Sequence, residues 1–157
     1  MTNPSFWQEK ITIGKLNIPR FMTAPMDGIT DSPLRQVIRE FSPEELLWGE
    51  MRHVASISAP INIHTEKALY FDPIEQPIGF QFSANMLEHI EKAVERVIEH
   101  KFIMINLNCG CPARRVVGSG SGSALMANIP LLRQILALFM KAINNQVPMT
   151  IKIRAGY

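Results

Sequence analysis

The chain has 157 residues, of which 46% are hydrophobic and 19% are charged, and its formal net charge at pH 7 is +2. That length suits one ordinary domain with a real core, and the small positive charge permits an anionic partner without requiring one. The two cysteines lie one residue apart, which excludes a disulfide-stapled fold because a bridge between them would close a strained loop.

No targeting or membrane signal stands out in the sequence. The opening MTNPSFWQEK has no charged segment followed by an apolar one, so we expect no secretory signal. The most apolar run, LLRQILALFM, is interrupted by Arg133 and Gln134 and is too short to cross a bilayer. We therefore expect a reduced, cytoplasmic protein with no membrane partner.

Short β-prone runs are spaced along the whole chain. The first segment, KITIGKLNIP, predicts a hairpin with Gly14 and Lys15 at its turn. Five apolar runs after it are each predicted to be a strand, at residues 20–25, 46–50, 77–82, 102–108 and 148–154.

Segments with helical periodicity separate these runs. Asp31 is the predicted N-cap of a helix over residues 31–41, and Asn85 that of a helix over residues 86–100. Asn128 and Pro130 introduce a third helix at residues 131–144, and a shorter one is predicted near residues 65–70. Alternating strands and helices, with no repeat and no linker, favour one α/β domain built on a parallel sheet.

The predicted strands end on polar or unusual residues. These ends are Pro25-Met26-Asp27, Glu50, Gln81, Asn108, and the pair Lys152 and Arg154. Active sites of parallel α/β proteins lie at the carboxyl ends of the strands. Because side chains alternate along a strand, Asn106 and Asn108 are expected to point to the same side. This edge of the sheet is therefore the predicted active face.

The cysteines follow the fourth predicted strand, and several interpretations stay open. A zinc site needs four ligands, and the four histidines show no ligand spacing, so no metal is predicted. Redox exchange favours C-x-x-C, which C-x-C matches poorly. A lone catalytic thiol at Cys111, held between Gly110 and Pro112, leaves Cys109 as a packing residue. The remaining interpretation is that both cysteines are buried and inert.

The run GSGSG follows the cysteines. A glycine-rich loop between a strand and a helix can cradle phosphate, but this run matches neither common nucleotide-binding spacing and begins well past the strand end. We interpret it as a conformable loop that allows a bulky substrate to approach closely.

Five segments together resemble the tRNA-dihydrouridine synthases in order and spacing. They are APMDGITDSPLR, GEM, GFQF, LNCGCPARRVVGSGSGSALM and IKIRAGY. A-P-M also occurs in other flavin barrels, whereas N-x-G-C-P followed by a basic, glycine-rich loop is specific. The cysteine at position 109 and the GSG-type loop lean toward the subgroup that modifies the uridine at position 16.

The resemblance implies a (β/α)8 TIM barrel that binds FMN and reduces the C5–C6 double bond of a tRNA uridine with NADPH. Residues 1–157 would form about the first half of that barrel, with the rest and a C-terminal helical tRNA-binding domain absent. We therefore expect this piece alone to bind FMN poorly, to reduce no tRNA, and to be able to self-associate through exposed barrel edges.

The resemblance also implies which residues hold the cofactor. Pro25, Met26 and Asp27 would line the flavin ring through backbone contacts. Gln81 and Lys152 would hydrogen-bond its polar edge.

Substrate residues follow from the same resemblance. Asn108 would face the target uracil, and Cys111 would donate a proton to C5 after hydride reaches C6 from FMN. A thiol is neutral at pH 7 and suits this task. A uridine within folded tRNA must flip out to reach the barrel mouth, and Arg114 and Arg115 would hold flanking phosphates.

Two other functions stay open at this point. One is a relative of the dihydroorotate or dihydropyrimidine dehydrogenases, which act on free pyrimidines. The other is a non-catalytic RNA-binding fragment. The adjacent Arg114 and Arg115 and the open Gly-Ser loop favour a polymeric substrate. The joint presence of Cys111, Asn108, Gln81 and Lys152 argues against lost catalysis.

Overall fold

The computed structural model describes residue 6 and residues 9–156. Strands β1 (Lys10–Ile13) and β2 (Leu16–Pro19) form an antiparallel hairpin. Gly14 adopts φ +60 at the turn, a conformation that tight hairpin turns require and glycine adopts freely. The predicted hairpin is therefore confirmed.

A parallel sheet follows. Its strands are β3 (Leu47–Trp48), β4 (Arg52–His53), β5 (Ile78–Ser83), β6 (Met104–Asn108) and β7 (Met149–Lys152). The strand order is β3-β5-β6-β7. β3 pairs with the start of β5, and β4 pairs with the end of the same strand. Within the described residues the sheet does not close, and β7 pairs only with β6. The predicted α/β class is confirmed, and the sheet agrees with part of a TIM barrel.

Helices connect the strands. They are α1 (Ser32–Phe41), α2 (Val54–Ser58), α3 (Ile63–Leu69), α4 (Ile90–Glu99), α5 (Arg114–Gly118), α6 (Ala124–Ala127) and α7 (Ile129–Ile143). The predicted caps of α1 and α7 are confirmed: Asp31 accepts a hydrogen bond from Leu34 N at 3.3 Å, and Asn128 accepts one from Leu131 N at 3.2 Å. The prediction did not include α2.

The predicted strand at residues 20–25 is wrong, because this segment has no strand partner. Instead, Thr23 N donates to the Glu45 carboxylate, and Arg20 N donates to the carbonyl of Glu9. Pro25 has no N–H to donate to a ladder. The segment therefore runs past the sheet as a loop and leads into the turn at residues 27–29.

The predicted start of α4 is also wrong. The helix begins at Ile90, after His89 in the left-handed region with φ 74, rather than at residue 86. Asn85 does not cap it, because its Nδ2 donates to the carbonyl of Ser119 and its Oδ1 lies 3.0 Å from His53 Nε2. Long-range contacts thus outcompete a local cap that the sequence favours.

The two faces of the sheet have different environments. One face packs Phe80, Phe82, Ile105 and Leu107 beneath the helices that contribute Val94, Ile135 and Phe139. On the other face, Trp48 and Met104 pack with Ile18 of the hairpin. A cavity of about 730 Å³ with a largely apolar lining lies at the amino ends of β6 and β7, between the hairpin turn and the carboxyl ends of α4 and α7. The polar side chains of the sheet lie instead at the carboxyl ends of the strands.

Among the residues described, no helix combines the length and the apolar character needed to cross a membrane. Self-association through the sheet edges stays a prediction.

Candidate functional site

Strand register brings three amide side chains together at the carboxyl end of the sheet. Gln81 of β5 lies opposite Asn106 of β6, which lies opposite Thr150 of β7. Two residues further along, Asn108 lies opposite Lys152. The expectation that Asn106 and Asn108 point to the same side is confirmed, because both bond to Gln81.

These amides form a continuous hydrogen-bond chain, which we call the amide chain. Asn106 Nδ2 donates to Thr150 Oγ1 at 2.8 Å, and Gln81 Nε2 donates to Asn106 Oδ1 at 2.7 Å. Asn108 Nδ2 then donates to Gln81 Oε1 at 3.0 Å. Gln81, Asn106 and Asn108 are all buried. Buried amides with satisfied partners have few alternative orientations, so the chain defines which atom of Gln81 faces which neighbour.

The amide chain ends at the loop that carries the thiol. Asn108 Oδ1 accepts hydrogen bonds from Gly110 N at 3.1 Å and from Cys111 N at 2.9 Å. Cys111 is half-buried, and its own backbone N–H is one of these two donors. The sequence predicts Asn108 as a substrate contact, and in the structure its carbonyl oxygen holds the backbone beneath Cys111.

Removing this support should free the Cys111 loop. In Asn108→Ala we expect alkylation of Cys111 by iodoacetamide to accelerate about fivefold, because Cys111 N loses its acceptor and one neutral hydrogen bond contributes about 1 kcal/mol. The rate is measured by mass spectrometry of the labelled peptide. Asn108→Asp is the matched control, since it keeps an acceptor for both backbone donors. Equal rates in the wild type and the alanine variant would contradict the positioning role.

The second cysteine lies in a different environment. Cys109 is fully buried in the core beneath the helices, and burial raises the pKa of its thiol to about 11. Among the described residues, no three His, Cys, Asp or Glu side chains gather in a way that would hold a metal ion. Cys109 is therefore a packing residue, as one of the interpretations has it.

The Gly-Ser run packs directly against the loop that carries Cys111, which we call the thiol loop. Gly122 has φ +62, and a Cβ added there would lie 2.7 Å from the carbonyl oxygen of Cys111 and 2.7 Å from Val116 Cγ1. Ser123 N also donates to that same carbonyl, at 3.0 Å. The run therefore approaches the backbone of Cys111 closely, which only glycine allows at position 122.

A cavity of about 280 Å³ opens beside the amide chain. Pro25, Gln81 and Lys152 line it, together with Asn106 and Thr150. Three of the five residues predicted to hold a cofactor are thus brought together. Apolar side chains complete the wall: Met22, Trp48, Met104 and Ile151. Met26 and Asp27, the other two predicted residues, do not line this cavity.

Asp27 belongs instead to a charged cluster at the same edge. Its carboxylate pairs with Arg52 and, at 3.1 Å, with Arg115 Nη2. Glu50 joins the cluster by accepting from Arg52 Nη2 at 2.7 Å and from Gly28 N at 2.6 Å. Arg114 is exposed and forms no ion pair with any residue that the structure describes. The two adjacent arginines therefore have different surroundings.

The sequence prediction missed Arg52 and His53. Both residues belong to β4. The sequence did contain a signal for them, because polar residues continue past Glu50 in the segment GEMRH. His53 lies 3.0 Å from Asn85 Oδ1, and its pKa is lowered chiefly by burial, with His89 lowering it further and the Asn85 hydrogen bond opposing. The lowered pKa favours a neutral imidazole at pH 7.

Comparison with known proteins gives a consistent result. Residues 22–157 match the sequence family described as Dihydrouridine synthase (Dus). The chain is 34% identical over 92% of its length to tRNA-dihydrouridine synthase B of Xanthomonas axonopodis pv. citri, and 34% identical over 87% to tRNA-dihydrouridine(20/20a) synthase of Haemophilus ducreyi. A probable tRNA-dihydrouridine synthase 1 of Synechocystis sp. is 27% identical over 99% of the chain. The chain spans 41–43% of the length of these relatives.

Proposed function

The chain belongs to the dihydrouridine synthase family, and from this premise we propose that the protein reduces the C5–C6 double bond of a tRNA uridine to give 5,6-dihydrouridine. One observation carries the proposal. The amide chain joins the cavity lined by Gln81 and Lys152 to the loop of a half-buried thiol, Cys111. A pocket for a redox group and a proton donor are the two parts that reduction of a carbon–carbon double bond requires.

The cavity lined by Gln81 has the chemistry that FMN needs. A buried amide offers both a donor and an acceptor to the polar edge of a flat ring, and the apolar walls suit its faces. Lys152 is exposed at the rim and forms no ion pair with a described residue, so its ammonium is free to stabilise negative charge that develops during reduction. FMN, when bound, would supply the hydride for uracil C6, with NADPH as the source of reducing equivalents.

Pro25 would pack against the cofactor from the loop that precedes the turn at residues 27–29. Met26 and Asp27 are adjacent in sequence but lie outside the cavity lining, and Asp27 is paired with arginines. We propose contacts from Met26 and Asp27 only through their backbone.

Cys111 would hold the proton that uracil needs. Transfer from its Sγ to C5 completes the saturated bond, on the face opposite to hydride delivery. Asn108 orients the thiol through the backbone of Cys111, and its remaining amide N–H is available to the uracil. A base inside folded tRNA cannot reach this position, so the uridine must flip out of its stack. Arg114 and Arg115 would contact phosphates near it.

The proposal is tested with the protein as its own cells express it, because residues 1–157 alone are expected to bind FMN poorly and to reduce no tRNA. The assay supplies NADPH and tRNA from cells that lack dihydrouridine. We expect FMN to copurify, and we expect dihydrouridine to appear in the tRNA, as measured by mass spectrometry of nucleosides. Turnover of free uracil or dihydroorotate without any change in tRNA would favour a dehydrogenase of free pyrimidines. Binding of tRNA without any product would favour a non-catalytic RNA-binding protein.

A further inference from the structure

A second cavity, of about 340 Å³, shares no lining residue with the cavity lined by Gln81. Its wall comes from four parts of the chain: the turn at Asp27, strand β4 with Arg52 and His53, the end of β5, and the segment from Arg115 to Ser121. The family resemblance assigns no role to Arg52, His53 or Ser121. We call this space the arginine cavity.

Two guanidinium groups converge at the arginine cavity. Arg52 pairs with Asp27 and with Glu50, whereas Arg115 pairs with Asp27 alone. The side chain of Arg52 is 28% exposed and that of Arg115 is 87% exposed. Arg52 is therefore held in place before any ligand arrives, while Arg115, which is mostly exposed and pairs only with Asp27 among the described residues, can reorient. Each guanidinium has five N–H donors, so both can donate to a further partner.

A hydroxyl at the same cavity lacks a partner. Ser121 lines the cavity and is 1% exposed, and its Oγ forms no hydrogen bond with any residue that the structure describes. A buried hydroxyl without a partner destabilises a fold, and native proteins usually supply one from the protein, water or a ligand. Ser121 therefore points independently to a polar ligand at this position.

We propose that the arginine cavity binds a phosphodiester group of the RNA strand, next to the nucleotide that reacts at Cys111. The inference rests on the proposed function, because it needs RNA as the substrate. Phosphate oxygens only accept hydrogen bonds, and arginine presents a fork of donors that matches two of them. The cavity offers two such forks and an uncommitted hydroxyl. In the free protein the Asp27 carboxylate pairs with both guanidinium groups. When phosphate binds, Arg115 exchanges part of its contact with Asp27 for the phosphate.

The thiol loop explains why a phosphate here would matter for the reaction. The segment from Arg115 to Ser121 begins four residues after Cys111, and Gly122 packs against the carbonyl of Cys111. A phosphate bound to Arg52 and Arg115 would therefore anchor the strand at a defined distance from the thiol. Arg114 does not line the cavity. The two adjacent arginines therefore have different roles. Arg115 contacts the phosphate at the cavity, and Arg114 contributes nonspecific electrostatic attraction for the RNA.

Ser121→Ala gives the sharper test, because a structural role and a binding role predict opposite effects. We expect the Kd for unmodified tRNA to rise about tenfold, the loss expected for one hydrogen bond to a charged acceptor. We also expect an unchanged or higher melting temperature, since the variant removes an unsatisfied hydroxyl. Filter binding and thermal unfolding measure the two. An unchanged Kd would overturn the proposal.

Arg52→Gln supplies the second measurement. We expect the slope of log Kd against log salt concentration to become shallower by about one, as for the loss of one phosphate contact. Arg133→Gln is the matched control: it removes the same charge from an exposed position on α7, and its slope should equal that of the wild type. Equal slopes in all three proteins would also overturn the proposal.

Two outcomes distinguish failure of the phosphate site from failure of the proposed function. If the wild type binds tRNA with these slopes but makes no dihydrouridine, the proposed function falls and the phosphate site stands. If dihydrouridine forms while Ser121→Ala and Arg52→Gln bind tRNA as the wild type does, the phosphate site falls and the function stands.

Discussion

Replacing Cys111 by alanine is expected to lower the rate of dihydrouridine formation by about 10²–10⁴-fold, the range that a positioned general acid contributes. The backbone of Cys111 supplies the contacts to Asn108 and Ser123, and alanine keeps that backbone. The affinity for tRNA and the melting temperature should therefore stay close to wild type. Single-turnover formation of dihydrouridine, followed by mass spectrometry, measures the effect.

Cys109→Ala is the matched control for this experiment. Its side chain is fully buried among core residues, where burial raises its pKa to about 11, so it has no access to a substrate. We expect a modest loss of stability and a rate near that of the wild type. Activity lost in the Cys109 variant and retained in the Cys111 variant would reverse the assignment of the two thiols. Wild-type product from Cys111→Ala would remove this thiol from the mechanism.

Replacing Glu75 by alanine should lower the free energy of unfolding by about 3–5 kcal/mol, because it strands a buried arginine without its counterion. Glu75 is completely buried and pairs with Arg35, which is itself 4% exposed. The same carboxylate accepts hydrogen bonds from Ser32 and, at 2.9 Å, from Asp72 N. Urea unfolding with a check for a constant m-value measures the change.

The Glu75 pair also bears on the site. Arg35 donates at 2.7 Å to the carbonyl of Thr30, and the hydroxyl of Thr30 lies 3.0 Å from both Met26 N and Met26 O. Removing Glu75 should therefore loosen the loop that carries Pro25 as well as α1.

Glu91→Ala is the control for charge alone. Glu91 pairs with Lys141, and both side chains are more than half exposed, so water and salt screen the interaction. We expect no measurable change in stability from this variant. A loss in Glu75→Ala no larger than that in Glu91→Ala would show that the buried pair contributes little.

The carboxyl ends of β5, β6 and β7 were predictable from the sequence. Side-chain alternation along a strand is strict, so placing Asn106 and Asn108 on one side follows from the local pattern alone. Parallel strands bring their carboxyl ends to one edge, which brings Gln81 to these residues. The caps at Asp31 and Asn128 are equally local, since a cap bonds to an N–H only a few residues away.

The failures share a physical cause. Residues 20–25 have β-prone composition, but a strand exists only where a partner accepts its hydrogen bonds, and here Glu45 takes the donor of Thr23. Asn85 has the chemistry of a cap, yet His53 and Ser119 bond to it from distant parts of the chain. Propensity describes a residue and its neighbours, and tertiary partners override it when they offer better hydrogen bonds.

The sequence by itself determined the parallel α/β class, the hairpin, the segments that match the dihydrouridine synthases and the candidate thiol, because each depends on local pattern or on a specific run of residues. Tertiary structure decided that Cys109 is core, that Asn108 holds the backbone of Cys111, and that Arg115 joins Arg52 while Arg114 does not. Those outcomes depend on burial and on contacts between residues far apart in the chain, which only the folded backbone brings within hydrogen-bond distance.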